Sequence, residues 1–288
     1  MTSQTQRPVT AIQRTPNMAW IWRQALLVPE APLLALSLVW HLLSGPSPVT
    51  GSIGLLIAIW FGLRMSVFAA VRRALDHADY RQTERLLACL YWLHPYSADT
   101  LALRGVLALA RGRTDDAEGA LRQALQFYPG QAQLHALLSG TLIENECFAE
   151  ARREARRALD YDRTCGAAML QLANAEQLLG APSSVVEAHL RAGLALRCAP
   201  TDAAALRCAL AQLLLAQRQA AEAQLVLVGV EALLPRCGVP QRASLHYCLG
   251  DLRRSLGDTE TARIHFKASE MLDPNGRYAA AAWRAARE

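Results

Sequence analysis

Lysine is nearly missing from this chain: Lys267 is the only one among 30 basic side chains, the others being arginine. With the abundance of alanine, that bias points to GC-rich coding and a bacterial source, and it carries no function. Paired cysteines are missing too. The seven (Cys89, Cys147, Cys165, Cys198, Cys208, Cys237 and Cys248) include no Cys-x-x-Cys, which excludes a zinc knuckle and a disulfide framework. Most occupy small apolar positions of helix-like segments and are expected as free thiols in a reducing compartment. There is no phosphate-cradling glycine loop, no His-Glu-x-x-His and no serine elbow. The seven histidines are scattered, none with a second ligand at helical spacing. Asp115–Asp116 and Asp160-x-Asp162 fall at turns, where carboxylates cap helices. No catalytic residue, metal ligand or cofactor site is expected, and the chain does not read as an enzyme.

A general basic excess is also lacking, despite a net charge of +5. Six of the 30 basic side chains (Arg7, Arg14, Arg23, Arg64, Arg72 and Arg73) and one of the 25 acidic ones, Glu30, lie in residues 1–73, leaving 24 of each beyond. Nucleic-acid binding needs a basic face, so it is not expected of residues 74–288.

What is present begins with two apolar runs. Residues 25–43 hold 19 mostly apolar positions interrupted by Pro29, Glu30 and Pro32; residues 51–71 hold 21, interrupted by Arg64. A helix of about 20 residues crosses a hydrocarbon core of roughly 30 Å. The uncharged SGPSPVT between them is rich in turn formers, so residues 25–71 read as a transmembrane helical hairpin. Arginines flank its outer ends. The positive-inside rule therefore keeps both termini, including the segment 1–24, in the cytoplasm. Trp20, Trp22 and Trp40 suit the interfaces. Glu30 and Arg64 each lie 14 residues from the loop, which predicts an intramembrane ion pair at equal height. Two other readings stay open: a cleaved signal peptide followed by one anchor, and a hairpin that dips into one leaflet.

Beyond residue 64 the chain reads as helices of about a dozen residues joined by short turns, with Pro95 and Pro129 34 residues apart. Residues 98–131 carry Gly105, Gly112, Ala117, Leu121, Ala124 and Pro129; residues 243–276 carry Leu249, Gly250, Gly257, Ala262, Phe266 and Pro274 at matching places. Segment 132–165 keeps Leu138, Phe148, Ala151 and Ala158. Segment 166–199 keeps Leu172, Ala173, Gly180 and Ala192, and segment 204–237 keeps Ala211, Ala223, Leu227 and Pro235. The pattern resembles the tetratricopeptide repeat. That resemblance implies an all-α fold: a right-handed solenoid of helix-turn-helix units following the transmembrane hairpin. Residues 72–97 would be a degenerate first repeat continuing from the second apolar run, with Tyr80, Leu87 and Pro95. Residues 277–288 would be a capping helix with Trp283 packed inward. Intervals of 34, 34, 38 and 39 between starts place small insertions in the third and fourth turns. An unbroken helix from about Ser52 to Asp76 is expected, with Gly62 the site of any bend.

The resemblance also implies a concave groove lined by the first helix of each repeat. Carried over, its residues are Ala102, Val106, Leu109, Gln133, Ala136, Gly140, Ile143, Leu170, Asn174, Gln177, Cys208, Gln212, Tyr247, Asp251 and Arg254. This lining is small, apolar or neutral polar, and lacks the cations with which relatives clamp a carboxylate. It suits an apolar helix or an extended peptide of a protein partner. Packing against a second copy, or against the chain's own termini, is the alternative. The expected role is a scaffold or adaptor at a bacterial inner membrane, multi-pass, with its repeats in the cytoplasm and possible work in assembly or maturation of a membrane complex. A permanent structural subunit of a large membrane machine and a periplasm-facing biogenesis factor remain open.

Overall fold

The computed structural model describes residues 30–44, 48–93 and 97–287. Among them are fourteen α-helices and no strand. The chain divides between Met65 and Ser66 into two compact units.

The first unit holds α1 (Glu30–Ser44) and the start of α2 (Pro48–Asp76). Gly54 of α2 lies beside Ser37 of α1, where an added methyl would meet Ser37 Oγ at 3.3 Å. Those residues are similarly far from the short connection, so the two helices run antiparallel in contact. At 1.5 Å per residue α1 rises about 22 Å, short of a hydrocarbon core. Among the described residues, one helical stretch, Gly51–Asp76, is long and apolar enough to cross a membrane; Leu33–Leu43 is apolar but shorter. The described part of the expected span over 25–43 is Glu30–Leu43, and the start of that span lies outside the described residues. Residues 25–29, Trp20, Trp22 and the Glu30 side chain lie outside the described residues, and the Glu30–Arg64 pairing with them. Arg64 itself is buried, its Cζ 5.8 Å from the Phe61 ring centroid. α2 runs unbroken through Gly62.

The second unit, Ser66–Glu288, is a run of helix pairs. The end of α2 pairs with α3 (Tyr80–Leu93). Then come α4 (Ala98–Ala110) with α5 (Thr114–Phe127), and α6 (Ala132–Glu144) with α7 (Phe148–Tyr161). They are followed by α8 (Gly166–Leu178) with α9 (Ser183–Leu194), α10 (Pro200–Ala216) with α11 (Ala220–Leu227), and α12 (Val239–Ser255) with α13 (Thr259–Leu272). The short α14 (Ala279–Ala285) ends the unit.

One hydrogen-bond motif sets the period. Each first helix ends with an N–H reaching back five residues to a carbonyl: Asp79 to Ala74, Arg113 to Ala108, Cys147 to Leu142, Ala181 to Glu176, Gln219 to Leu214, Asp258 to Arg253, all at 2.8–2.9 Å. That closure requires a left-handed residue just before it. The residues are Ala78, Gly112, Glu146, Gly180, Arg218 and Gly257, with φ between 58° and 84°. Their spacings of 34, 34, 34, 38 and 39 match the intervals read from the sequence. Small residues allow the two helices of a pair to touch: a methyl at Gly105 would lie 2.9 Å from Leu121 Cγ, and one at Gly250 2.6 Å from the Phe266 ring.

Several details differ from expectation. The insertions are shared between helices and turns. α10 and α12 each have 17 residues, against 13 in α4, α6 and α8, so four extra residues add one helical turn. Pro200 and Pro240 stand in the first turns of α10 and α12, where a missing N–H costs nothing, so Pro200 begins a helix rather than ending one. Near α9 one extra residue in the turn shifts the register: Gly193, not Ala192, is buried, against Leu206. α11 stops after eight residues at Leu227, and Pro235 belongs to a short 3-10 turn, Leu234–Arg236. Trp283 is 47% exposed with the Arg287 guanidinium 3.6 Å over its ring; Ala282 and Ala286 are the residues of the cap that turn inward.

Candidate functional site

The fifteen positions expected in the groove fall into three groups. Gln133, Gln177, Gln212 and Arg254 are exposed. Ala102, Val106, Leu109, Gly140, Ile143, Leu170, Asn174, Tyr247 and Asp251 are half-buried. Ala136 and Cys208 are buried, which corrects their assignment to an open groove. Ala136 packs with Ala158, Cys165 and Ala168, and Cys208 packs in the large cluster around Leu210, Leu214 and Leu249. Both sit on the side of the helix that faces the next repeat. In the middle of the unit, Gln133, Gly140, Ile143, Asn174, Gln177 and Gln212 form a neutral, partly exposed series on α6, α8 and α10; a methyl at Gly140 would lie 3.3 Å from the Gln171 amide.

At the end of the unit the chain packs on itself. Tyr278 stacks on Tyr247 at 4.9 Å between centroids, and Asp251 pairs with Arg254 at 2.7 Å. The segment from Asp273 to Tyr278 then meets the ends of helices near the start. The Arg277 amide donates to the Ala110 carbonyl at 3.1 Å, and its guanidinium reaches Glu144 at 2.6 Å. Tyr80 donates to the Asp273 carboxylate. Burial, then the Asp273 carboxylate, push the Tyr80 phenol far above its ordinary range, so it stays the donor. The last repeat is thereby tied to the first three. No sequence pattern announced this, because each contact joins residues more than 130 positions apart.

Buried histidines carry the strongest electrostatics. His135 and Glu154 stand at the fourth and twenty-third places of their repeat; His246 and His265 stand at the same places of the last. His135 Nδ1 lies 2.6 Å from Glu154, its Nε2 2.9 Å from the Pro129 carbonyl, and its ring stacks on Tyr161. Burial opposes charge there, but the Glu154 hydrogen bond and the Pro129 carbonyl prevail and raise its pKa. His246 and His265 face each other at 2.9 Å through their Nδ1 atoms. Burial first, then His265, hold His246 down to about 4. His135 and His265 are both buried. Leu101 fills the fourth place in the first full repeat, and that internal comparison could have flagged His135 as a core position. No group of three or more metal-ligating side chains occurs among the described residues.

No family model matches the chain, and no curated protein sequence matches it. Solved structures do. A tetratricopeptide repeat protein from Parabacteroides merdae aligns over 90% of this chain and 99% of its own, with TM-score 0.56 and 14% identity. PilW, described as a widely conserved type IV pilus biogenesis factor, aligns over 77% of this chain and 98% of its own, with TM-score 0.53 and 17% identity. PilF of Pseudomonas aeruginosa covers 78% of this chain and 98% of its own at TM-score 0.50 and 16% identity. At such identities the likeness concerns fold. With its repeated pairs, its left-handed turn residues and its small crossing residues, the chain from Ser66 onward folds as an array of tetratricopeptide repeats.

Proposed function

We propose that this chain is a membrane-anchored adaptor that holds a protein partner on its repeats. The observation that carries the reading is the stretch Gly51–Asp76, long and apolar enough to span and with 6% of its most apolar window buried, leading straight into the repeats. Ile53, Leu55, Leu56, Ile59 and Leu63 are all exposed along it, an apolar surface that a hydrocarbon environment would cover. With α1 and the apolar residues before it as the returning limb, the anchor is a hairpin. Arg72 and Arg73 close its second limb, which supports a cytoplasmic array.

The partner surface is the neutral series on α6, α8 and α10, away from the self-packed end. A work in assembling a membrane complex fits such an adaptor, since anchoring raises the local concentration of whatever is held. Copurification from gently solubilised membranes tests the reading. Gln177→Arg and Gln212→Arg alter exposed positions and leave the core intact, so loss of a stoichiometric partner from these variants supports the surface. An unchanged set of partners counts against it. A reporter fused after Glu288 that is active only outside the cytoplasm would overturn the orientation.

A further inference from the structure

The seventh place of the repeat is leucine in four copies: Leu138, Leu172, Leu210 and Leu249, each at most 5% exposed. Leu138 shares its cluster with Leu125 and Tyr128 of the preceding repeat, and Leu210 shares its cluster with Val186 and Leu190. At Leu138 and Leu210 the leucine thus fills the seam between one repeat's second helix and the next repeat's first. In the first full copy that place is Arg104, which is exposed. The seam between α3 and α4 is left open as a cleft of about 320 Å³.

The walls are the facing stripes of two helices. α3 contributes Leu87, Ala88 and Tyr91; α4 contributes Leu101, Arg104 and Leu107. Stripes at such spacing make a trough that takes the ridge of a third helix. The charges on the rim are otherwise settled among themselves: Glu84 with Arg111 and Arg113, and Arg113 with Asp116 at 3.6 Å. Arg104 stands beside them with no acidic partner among the described residues, so its guanidinium is left to meet a carboxylate from outside the chain.

We propose that the α3–α4 seam is a docking site for a helix of a partner protein. The helix would insert a leucine-like side chain where the other repeats carry their own, and set a carboxylate one turn away against Arg104. This rests on the adaptor reading for its biological sense, but it places a contact outside the groove.

The test uses the full chain in lipid nanodiscs and a labelled, alanine-based helical peptide bearing leucines four residues apart and a glutamate one turn from them. Fluorescence anisotropy is read for this peptide, for its Glu→Lys form and for its Leu→Ser form. The wild-type chain should bind the glutamate peptide at least tenfold more tightly than either altered form. Arg104→Glu should reverse the preference between glutamate and lysine. Arg104→Leu should close the seam, abolish binding and raise the thermal midpoint. Absent binding, equal binding of the glutamate and lysine peptides, or no reversal in Arg104→Glu overturns the proposal. If the peptides behave as expected while Gln177→Arg and Gln212→Arg keep every partner, the groove reading fails and the seam stands. The opposite pattern removes the seam alone.

Discussion

Adding one methyl group at Gly250 should destabilise the array, whereas the same change at Gly119 should stabilise it. Both glycines lie inside helices, α12 and α5, so replacement by alanine gains about 0.8–1.0 kcal/mol of helix propensity in each. At Gly119 nothing lies within 4 Å of the added carbon, and that gain is the whole effect. At Gly250 three atoms of the Phe266 ring lie within 2.6–2.9 Å of it. The ring is 1% exposed and is held by Ala262, Tyr247 and the cap residue Ala286, so it has little room to withdraw. Forcing a methyl into such a site costs about 1–3 kcal/mol, and contact with three ring atoms places it at the upper end. The net effect is about 2 kcal/mol of destabilisation. For a domain of this size, about 2–4 °C accompanies each kcal/mol. Circular-dichroism melts in one micelle system should show Gly250→Ala lowered by about 4–8 °C and Gly119→Ala raised by about 2–4 °C. Equal shifts, or an unchanged midpoint for Gly250→Ala, would refute the claim that this crossing is close-packed.

Arg218→Gly and Glu146→Gly should each stabilise the chain by about 1 kcal/mol, because both residues hold left-handed backbone that costs an L-residue about that much; chemical denaturation of the variants measures it. His246 binds its proton only near pH 4 in the folded repeat, against an ordinary 6.5. The unfolded chain therefore takes up more protons in that window. The contribution to α12–α13 is complete above about pH 6.5 and is lost as pH falls toward 4. His265, Arg242 and Glu231 face His246 and shape that window. His135, raised by Glu154, acts in the opposite sense: its contribution in α6–α7 is complete below 6.5 and fades as pH rises through the raised value. Hydrogen exchange at pH 5 and pH 8 should show protection lost from residues 239–272 on acidification and not from residues 132–161. Tyr80→Phe removes the donor to Asp273 and should cost about 1.5–3 kcal/mol, read as faster exchange of the Arg277 amide bonded to Ala110. Unaltered exchange there would show that the first and last repeats are not energetically joined.

The period was legible because two kinds of residue recur for backbone reasons. Glycine suits the left-handed turn at 112, 180 and 257, and small residues suit the crossings at 105, 173, 211 and 250. Where the turn residue is Ala78, Glu146 or Arg218 the pattern thins, since packing imposes the same conformation on side chains that do not advertise it. The part of the insertions that lies in helices was missed for a related cause. Extra residues that extend a helix by one turn look, in a sequence, like extra residues in a loop; only Pro200 and Pro240 hinted at helix starts. Trp283 was expected to pack inward, yet the alanines beside it face inward and Arg287 covers its ring. The groove positions were carried over from the family resemblance, and Ala136 and Cys208 show that such a carry-over does not separate the side facing a neighbour repeat from the side facing open space. Contacts between Tyr80, Ala110, Glu144 and the segment 273–278 arise from how the pairs accumulate along the array, which no local pattern encodes.

The central claim is that the repeats hold a protein partner beside the membrane into which the apolar stretch inserts. Its most direct measurement is the mass of the complex released from native membranes in lipid nanodiscs, for the wild-type chain and for the double variant Gln177→Arg, Gln212→Arg. The wild-type chain should sediment with membranes and carry a partner in fixed ratio, and the double variant should sediment alone with unchanged helicity. A wild-type chain found in the soluble fraction, or a double variant that keeps the same partner at the same ratio, would contradict the account.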